Sequence, residues 1–264
     1  MAKKRRRKKK SGAKASGAKA RESQPQSGSQ AKEGDPPDPG RWLREWAKSI
    51  AIAVLLFLVI RSFVVEAFKI PTGSMETTLL VGDWLLVNKA VYGARVPFTE
   101  LHLPALDEPE RGDIVVFRFP LDLSESYVKR VVGTPGDRVA MRAGEVFVNG
   151  ELQAEEYVRH IQPESNYYDP QFEWQRGHLA PEVDATAYRP TRDDWGPILV
   201  PEGNFFVMGD NRDNSLDSRY WGFVDRGLIK GQPLFIYYSY DAEKLRPLPW
   251  LTEIRWGRFG HVVR

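Results

Sequence analysis

The chain has 264 residues, no cysteine and only four histidines. The absence of cysteine excludes a disulfide framework, a thiol nucleophile and an iron–sulfur cluster, and no two histidines have the spacing of a helical metal site. The formal net charge of +3 conceals an asymmetry: residues 1–48 carry 15 basic and 5 acidic side chains, whereas the rest carries 23 basic and 30 acidic ones. An acidic body argues against a broad surface for nucleic acid.

Residues 1–40 are predicted to be a disordered basic tail. They contain an unbroken basic block from Lys3 to Lys10 and no large apolar residue after Met1. Such a segment buries too little apolar surface to offset the entropy of ordering. The block has three interpretations: a solvated tail, a cytoplasmic charge anchor that contacts anionic lipid, or, least favoured, a nucleic-acid-binding segment.

Residues 41–63 are predicted to form one transmembrane anchor helix. The uninterrupted apolar run, Ile50 to Ile60, has 11 residues, fewer than the roughly 20 that a bilayer needs. Trp42 and Trp46 before the run and Phe63 after it extend the apolar character. The alternatives are a buried helix of a soluble domain and a cleaved signal sequence. Because the basic residues precede the span, the tail is expected in the cytoplasm and the body on the exported side.

Residues 64–264 are predicted to form a mostly β body, because short β-type runs alternate with turns and no sustained amphipathic helix is found. Ala143-Gly144 and Asn149-Gly150 predict tight hairpin connections. Residues 153–200 are polar and proline-rich, and they are interpreted as a long insertion. The predicted strands are Trp84–Asn88, Ile114–Phe119, Tyr127–Val132, Arg138–Arg142, Glu145–Val148, Phe205–Met208 and Leu234–Tyr238.

A candidate nucleophile, Ser74, follows the anchor in the segment from Phe68 to Leu79. A serine hydroxyl is a poor nucleophile unless a base takes its proton. Gly73 before it favours an exposed turn, and the Thr72 hydroxyl could face the same reaction centre. The alternative is that these small hydroxyl residues only form a turn.

The candidate base is Lys129, because no histidine has a suggestive context. It lies inside an apolar run, where burial would lower the pKa of the lysine and leave a neutral amine able to accept a proton. The alternative is a strand lysine that reaches water. Strand alternation places Arg130 on the opposite face, so one of the two side chains is expected to point inward and the other outward.

A third segment, residues 208–222, is dense in aspartate, asparagine, serine and arginine. Its aspartates could form a metal loop, but their spacing does not fit the common calcium-loop pattern and two arginines supply counter-charges. An Arg–Asp network that holds the loop rigid is the more economical interpretation. Ser215 would then be available to orient a neutral lysine amine.

In this order behind a membrane anchor, the segments resemble the sequence boxes of the bacterial type I signal peptidases, a family of membrane-bound Ser/Lys proteases. The resemblance covers about residues 42–264 and leaves the basic tail and the 153–200 insertion without support. The segments that carry it are Pro-Thr-Gly-Ser-Met at 71–75, Arg-Gly-Asp-Ile-Val-Val-Phe at 111–117, Tyr-Val-Lys-Arg-Val-Val-Gly at 127–133, Gly-Asp-Asn-Arg-Asp-Asn-Ser at 209–215 with Asp217-Ser218-Arg219, and Arg-Trp-Gly-Arg at 255–258.

The resemblance implies a catalytic role for Ser74 as nucleophile and Lys129 as general base. The Ser74 backbone N–H and the Thr72 hydroxyl would form the oxyanion hole, although the family often has serine at the position of Thr72. Ser215 would position Lys129. Structural support would come from Asp210, Arg212, Asp217 and Arg219.

The resemblance also implies specificity for small residues at the first and third positions before the cut. Neither a metal nor a cofactor is required. The residues expected around the two shallow substrate pockets are Phe68, Ile70, Pro71, Met75, Tyr127 and Val128.

The predicted function is therefore a membrane-anchored serine endopeptidase that removes signal peptides from exported preproteins. Its expected partners are such preproteins and the lipid bilayer, without nucleic acid, and the oligomeric state is left open. One rival is a self-cleaving Ser/Lys repressor, which should carry a DNA-binding helix-turn-helix. The other is a membrane-tethered β domain that binds peptides or wall components without cleaving them.

Overall fold

The computed structural model describes residues 39–264, except residues 97, 98, 100, 102, 162–165 and 245. Predictions for residues 1–38 of the basic tail therefore lie outside the described residues. The chain divides into two compact units, residues 1–48 and residues 49–264. The described part of the first unit is the beginning of a helix, and the second unit contains the rest of that helix and all of the strands.

The first helix, α1, runs from Pro39 to Phe63, close to the predicted bounds of 41–63. Its residues Gly40–Phe63 are long and apolar enough to cross a membrane, and none of the apolar window is buried within the protein. Large apolar side chains such as Leu55 and Phe57 are more than half exposed. This exposure does not support the alternative of a buried helix in a soluble domain, because such a helix would cover its apolar side chains.

The remainder of the chain is mostly β, as predicted, and its helices are single turns or short 3₁₀ segments. The 3₁₀ helices are Pro170–His178, Arg212–Asn214, Arg226–Leu228 and Trp256–Arg258, and the short α-helices are α2 (Ser218–Trp221) and α3 (Pro249–Thr252). The strands are β1 (Val65–Lys69), β2 (Asp83–Asn88), β3 (Ile114–Phe119), β4 (Asp122–Gly133), β5 (Arg138–Arg142), β6 (Glu145–Val148), β7 (Glu151–Leu152), β8 (Trp195–Leu199), β9 (Asn204–Met208), β10 (Val224–Asp225) and β11 (Ile229–Ser239).

The strands form two antiparallel sheets. The larger has the order β1-β2-β11-β3-β4-β9-β10, and the smaller has the order β7-β6-β5-β8. β1 is therefore an edge strand, paired only with β2. β4 pairs with β3 over most of its length, but β9 reaches only its last residues, Arg130 to Gly133. The first half of β4 thus has one unpaired edge among the described residues.

The predicted hairpin turns are confirmed at both sites. Ala143 and Asn149 have φ angles of 50° and 55°, and each is followed by a glycine with positive φ. Two consecutive residues with positive φ are the requirement of a type I′ turn, which matches the twist of the paired strands. Asn149 tolerates this region better than most residues, and glycine adopts it without steric cost.

Of the seven predicted strands, β3, β5 and β6 have the predicted bounds, β2 and β9 begin one residue earlier, and β4 and β11 are longer at both ends. Four strands, β1, β7, β8 and β10, were not predicted. β8 has the sequence Trp-Gly-Pro-Ile-Leu, in which glycine and proline argue against a strand. It forms because it pairs with β5 and buries Trp195 and Ile198 in the core of the smaller sheet.

The segment 153–200 was interpreted as an insertion, but its last residues, which form β8, belong to the folded body. Its last strand contributes to the same core as Val139, Met141 and Phe206. Its beginning also contacts the loop after β9, because the Arg159 N–H donates to the Asp210 carbonyl at 2.8 Å.

Two neighbouring substitutions test this placement of β8. Ile198 is fully buried, whereas Leu199 is 42% exposed. Ile198→Ala should lower the free energy of unfolding by about 2–5 kcal/mol, because it removes buried methyl groups and leaves a cavity. Leu199→Ala should change it by less than about 0.5 kcal/mol. Equilibrium urea unfolding in detergent measures both values, and equal effects of the two substitutions would contradict the assigned strand.

Candidate active site

Ser74 and Lys129 are in direct contact although 55 positions separate them in sequence. Lys129 Nζ donates to Ser74 Oγ at 2.7 Å and to the Val128 carbonyl at 3.2 Å. Both side chains are buried: Ser74 is 8% and Lys129 4% exposed. The contact therefore takes place almost entirely away from water, and Lys129 is not a strand lysine that reaches water.

Ser74 is held on the sheet by its own loop between β1 and β2. The loop folds into tight turns, with the Glu76 N–H donating to the Gly73 carbonyl and the Leu79 N–H donating to the Met75 carbonyl. Met75 and Leu79 are buried in an apolar cluster on the sheet. Burial of Met75, the residue after Ser74, and of Leu79 one turn later anchors the loop that carries the serine, so packing rather than local sequence sets its position.

Lys129 is placed by strand pairing. It lies in the middle of β4, directly opposite Val115 of β3. Since side chains of successive strand residues point to opposite faces, this register directs Lys129 toward the face that carries the serine loop. The amine also lies 5.4 Å from the centre of the Tyr127 ring.

Burial lowers the pKa of Lys129 from 10.5 to about 8. The negative charges of Asp217 and Asp210 oppose this shift, and the positive charge of Arg219 adds to it. Within the described residues Lys129 forms no ion pair, and the nearby Asp210 and Asp217 are paired with arginines. No carboxylate in contact with the ammonium therefore compensates for the hydration that it loses on burial. The neutral amine, which is the form that accepts a proton, therefore makes up roughly a tenth of the population at pH 7 and half at about pH 8, far more than for an ordinary lysine.

The loop after β9 clamps the backbone around Ser74. The Asn211 N–H donates to the Ser74 carbonyl at 3.1 Å, and its side-chain amide donates to the Gly73 carbonyl, also at 3.1 Å. Gly209 fits because it has no side chain: a Cβ there would overlap both Ser215 Oγ and the Ser74 carbonyl. Asn211 was not predicted as a site residue, because its contacts depend on the tertiary arrangement and carry no local sequence signal.

Two buried Arg–Asp pairs support this loop, and they favour the predicted network over the metal loop. Arg219 donates to both carboxylate oxygens of Asp217, at 2.8 and 2.9 Å, and both residues are fully buried. Arg130 donates in the same two-pronged way to Asp210, at 2.9 and 2.8 Å. Such paired geometry combines charge with directional hydrogen bonds. Among the described residues no group of potential metal ligands is found.

The prediction that only one of Lys129 and Arg130 points inward is wrong. Arg130 does lie on the opposite face of β4, but it is only 3% exposed. It is covered by Asp210 and by the Tyr157 ring, whose centre is 3.8 Å from the guanidinium carbon. Because segments from both sides cover the second half of β4, both faces of the strand are interior from Val128 to Gly133.

Arg212 ties the loop to the segment interpreted as an insertion. It is 1% exposed and donates to the Glu155 carboxylate at 2.7 Å and to the Gly209 carbonyl at 3.2 Å. Its own carbonyl accepts from Arg219 at 2.6 Å. Glu155 was not predicted as a supporting residue, because nothing in its local sequence distinguishes it from a surface carboxylate.

Ser215 was expected to hydrogen-bond to Lys129 and position it. It lies beside the site but does not make that hydrogen bond. Its Oγ is buried and makes no hydrogen bond of normal geometry in the described part of the chain. Burial alone would raise the pKa of the nearby Asp217 carboxyl, but Arg219, then the Gly209 N–H and then Ser215 lower it, and the net shift is downward. The amine of Lys129 instead donates to Ser74 and Val128.

An open cavity of about 740 Å³ exposes this site. Five of the six predicted substrate residues line it, and Thr72, which is exposed, lines it as well. Phe68 does not line the cavity; it packs against the apolar cluster behind the serine loop. The lining residues are Ile70, Pro71, Thr72, Gly73, Ser74, Met75, Glu125, Ser126, Tyr127, Val128, Lys129, Asp213, Asn214, Ser215, Leu216 and Tyr220.

Comparison with known proteins gives a match to the family model of signal peptidase, peptidase S26, over residues 43–238. The chain belongs to this family. The matched range includes residues 153–200, so the predicted insertion lies within the part of the chain that the family model covers. Membership confirms the resemblance seen in the sequence and the prediction of a serine endopeptidase that removes signal peptides from preproteins.

Relatives of this family member support the same assignment. It is 40% identical over 220 residues to signal peptidase I of Pseudomonas fluorescens and 39% identical over 222 residues to that of Pseudomonas aeruginosa. Each alignment covers 78% of this chain and 76% of the relative. The crystal structure of a signal peptidase I from Enterococcus faecalis V583 is 30% identical, covers 47% of this chain and 96% of the other, and superposes with a TM-score of 0.32.

Proposed function

We propose that this peptidase cleaves preproteins by acyl transfer, with Ser74 as the nucleophile and Lys129 as the general base. The observation that carries the proposal is the 2.7 Å contact between Lys129 Nζ and Ser74 Oγ, both buried at the base of an open cavity. A base must lie within hydrogen-bond reach of the proton that it takes. The lowered pKa of Lys129, about 8, supplies the neutral amine that this role needs.

The proposed reaction begins when neutral Lys129 takes the Ser74 proton and Oγ attacks the carbonyl carbon before the scissile bond. The tetrahedral intermediate collapses as the C–N bond breaks, and the protonated lysine gives its proton to the leaving amine. Lys129, neutral again, then activates a water that hydrolyses the acyl–serine ester.

The oxyanion hole is proposed to consist of the Ser74 backbone N–H and the Thr72 hydroxyl. In the described part of the chain, neither group donates a hydrogen bond to another protein atom, so both are free for a substrate oxygen. Donors of this kind contribute typically about 100- to 1000-fold in rate each. The extra methyl of Thr72, relative to serine, restricts its side-chain torsion.

The substrate is proposed to bind as an extended strand. β1 is an edge strand that leads directly into the serine loop, and its backbone near Phe68 to Ile70 can accept a further strand. Shallow pockets that exclude large side chains would give specificity for small residues at the first and third positions before the cut. The residues proposed to border those pockets are Ile70, Pro71, Met75, Tyr127 and Val128, with Phe68 behind them.

The remaining predicted residues are proposed to position the Ser/Lys pair without touching substrate. Asp217 and Arg219 hold the loop whose Gly209 packs on the Ser74 carbonyl, and Asp210 and Arg212 connect that loop to its surroundings. Ser215 is proposed to orient the Lys129 amine after a small rearrangement during catalysis.

The family and the apolar helix indicate a membrane-anchored enzyme. Its proposed topology is a cytoplasmic tail of residues 1–40, an anchor of residues 41–63 and an exported catalytic body of residues 64–264. The excess of basic residues before the helix supports this orientation. The proposed partners are preproteins and the bilayer, without nucleic acid.

Replacing either member of the proposed pair should abolish cleavage. Ser74→Ala and Lys129→Ala should each reduce the kcat/KM for a preprotein in detergent by at least about 1000-fold, since each change removes a reacting group. Ser124→Ala is the matched control, because this exposed serine lies on β4 outside the cavity and its hydroxyl, among the described residues, donates to Asp122 alone. Near-normal turnover of either Ser74→Ala or Lys129→Ala, in a folded protein, would refute the proposed roles.

The rate should also depend on pH with a defined sign. Below a pKa of about 8 the Lys129 amine is protonated and cannot accept the Ser74 proton, so activity should fall as the pH decreases from 9 to 5. We expect kcat/KM to decrease about tenfold per pH unit well below that pKa. Initial rates on a signal-peptide substrate measure the profile, and a rate that is constant from about pH 5 to 9 would exclude a lysine base.

A further inference from the structure

A second cavity, of about 280 Å³, lies apart from the Ser/Lys pair and shares no lining residue with the first. It adjoins the end of α1, because Lys89 Nζ, which lines it, donates to the Arg61 carbonyl in the last turn of that helix at 2.9 Å. We call it the basic cavity. Its lining residues are Glu66, Lys89, Gly93, Arg95, Arg118, Gly227, Leu228, Ile229 and Lys230.

The basic cavity concentrates positive charge in a body that is acidic overall. Four of its lining residues are cationic and one, Glu66, is anionic. Glu66 lies 3.8 Å from both Lys89 and Lys230, so a single carboxylate is shared between two ammonium groups. Burial lowers the pKa of Lys89, and the nearby charges of Lys230 and Arg61 also lower it, against the opposing effect of Glu66. An additional anion would relieve this repulsion.

Arg118 provides the directional donors that an oxyanion needs. Its side chain is half-buried at the wall of the basic cavity and forms no hydrogen bond or ion pair with any described residue. A guanidinium fork matches two oxygens of a phosphate, and lysines add point charges. The neighbouring Arg95 Nε is used differently, since it donates to the Thr99 carbonyl at 2.7 Å.

We propose that the basic cavity binds the phosphate of an anionic phospholipid headgroup. The cavity adjoins the end of the helix that is long and apolar enough to cross a membrane, which is where headgroups would be found. An anionic headgroup is favoured over a zwitterionic one, because four cations against one carboxylate would repel a choline group. The ligand is thus a phosphodiester with a net negative charge, held by Arg118, Lys89 and Lys230.

The proposed site is connected to the peptidase cavity through one side chain. Lys230 Nζ donates to Ser126 Oγ at 2.8 Å, and Ser126 lies on the half of β4 that borders the cavity of Ser74 and Lys129. A headgroup bound to Lys230 would compete for its donors. The site therefore places lipid recognition one hydrogen bond away from β4, whose residues Glu125 to Lys129 line the cavity of the Ser/Lys pair, independently of the roles proposed for Ser74 and Lys129.

Lipid binding by the full chain in detergent tests the proposal. Native mass spectrometry with dioctanoyl phosphatidylglycerol should show one lipid bound in preference to dioctanoyl phosphatidylcholine. The double variant Arg118→Gln/Lys230→Gln should bind it at least about tenfold more weakly, because each cation near a headgroup contributes to affinity. Arg118→Gln alone, which loses no hydrogen bond or ion pair within the described residues, should weaken it severalfold and serves if the double variant does not fold.

The matched control is Arg138→Gln/Lys244→Gln, which removes the same charge from exposed residues outside the basic cavity. It should retain wild-type affinity for phosphatidylglycerol. Equal weakening in both double variants would overturn the proposal, because binding would then follow net charge. Unchanged affinity in both would also overturn it, because the lipid would then bind elsewhere, for example at the basic tail. Inorganic phosphate that binds as tightly as the lipid, with the same dependence on Arg118, would overturn the lipid assignment.

Discussion

The proposed chemistry depends on one constraint: a lysine amine must be buried next to an alcohol without a carboxylate of its own. Two carboxylates, Asp210 and Asp217, lie near enough to raise the pKa of Lys129. Each is engaged by an arginine, Asp210 by Arg130 and Asp217 by Arg219. These pairings satisfy the acids, so that burial remains the dominant effect on the lysine and its pKa falls to about 8.

The same arginines also explain how the site keeps its shape. A buried ion pair is weak evidence for stability, because desolvation offsets most of the attraction, but losing one partner strands a buried charge. The Arg130–Asp210 pair connects β4 to the loop after β9, whereas the Arg219–Asp217 pair lies within the segment that follows β9 and holds Gly209 through the Asp217 carboxylate. That loop in turn holds the Ser74 carbonyl through Asn211. Electrostatics and geometry are therefore coupled: the contacts that shield the amine from acids are those that position the serine beside it.

Sequence patterns predicted the parts of the protein whose signals are local. Strands β3, β5 and β6 follow from apolar runs bounded by turn residues, and the hairpins follow from Ala143-Gly144 and Asn149-Gly150. The candidate pair, Ser74 and Lys129, came from residue context, and the ordered motifs of a family sharpened it. The structure then brought these two residues together at hydrogen-bond distance.

What could not be predicted depends on contacts between distant segments. Strand β8 contains glycine and proline and forms only because β5 offers it a partner. One of Lys129 and Arg130 was expected to point outward, because alternation along a strand does not reveal that Tyr157 and Asp210 cover the second face. The role of Glu155 was missed for the same reason: its ion pair with Arg212 joins segments that are far apart in the sequence. The orientation of Ser215 also depends on the close packing of its side chain against Gly209.

The most direct test of the account is the pKa of Lys129 in the folded protein. It can be measured by NMR titration of the chain carrying ¹³C-labelled lysine, with the Lys129 signal identified by its loss in Lys129→Arg. The account predicts a midpoint near pH 8, because the buried ammonium has no paired carboxylate. A midpoint near the ordinary value of 10.5 would contradict it, since the amine would then be charged at neutral pH and unable to activate Ser74.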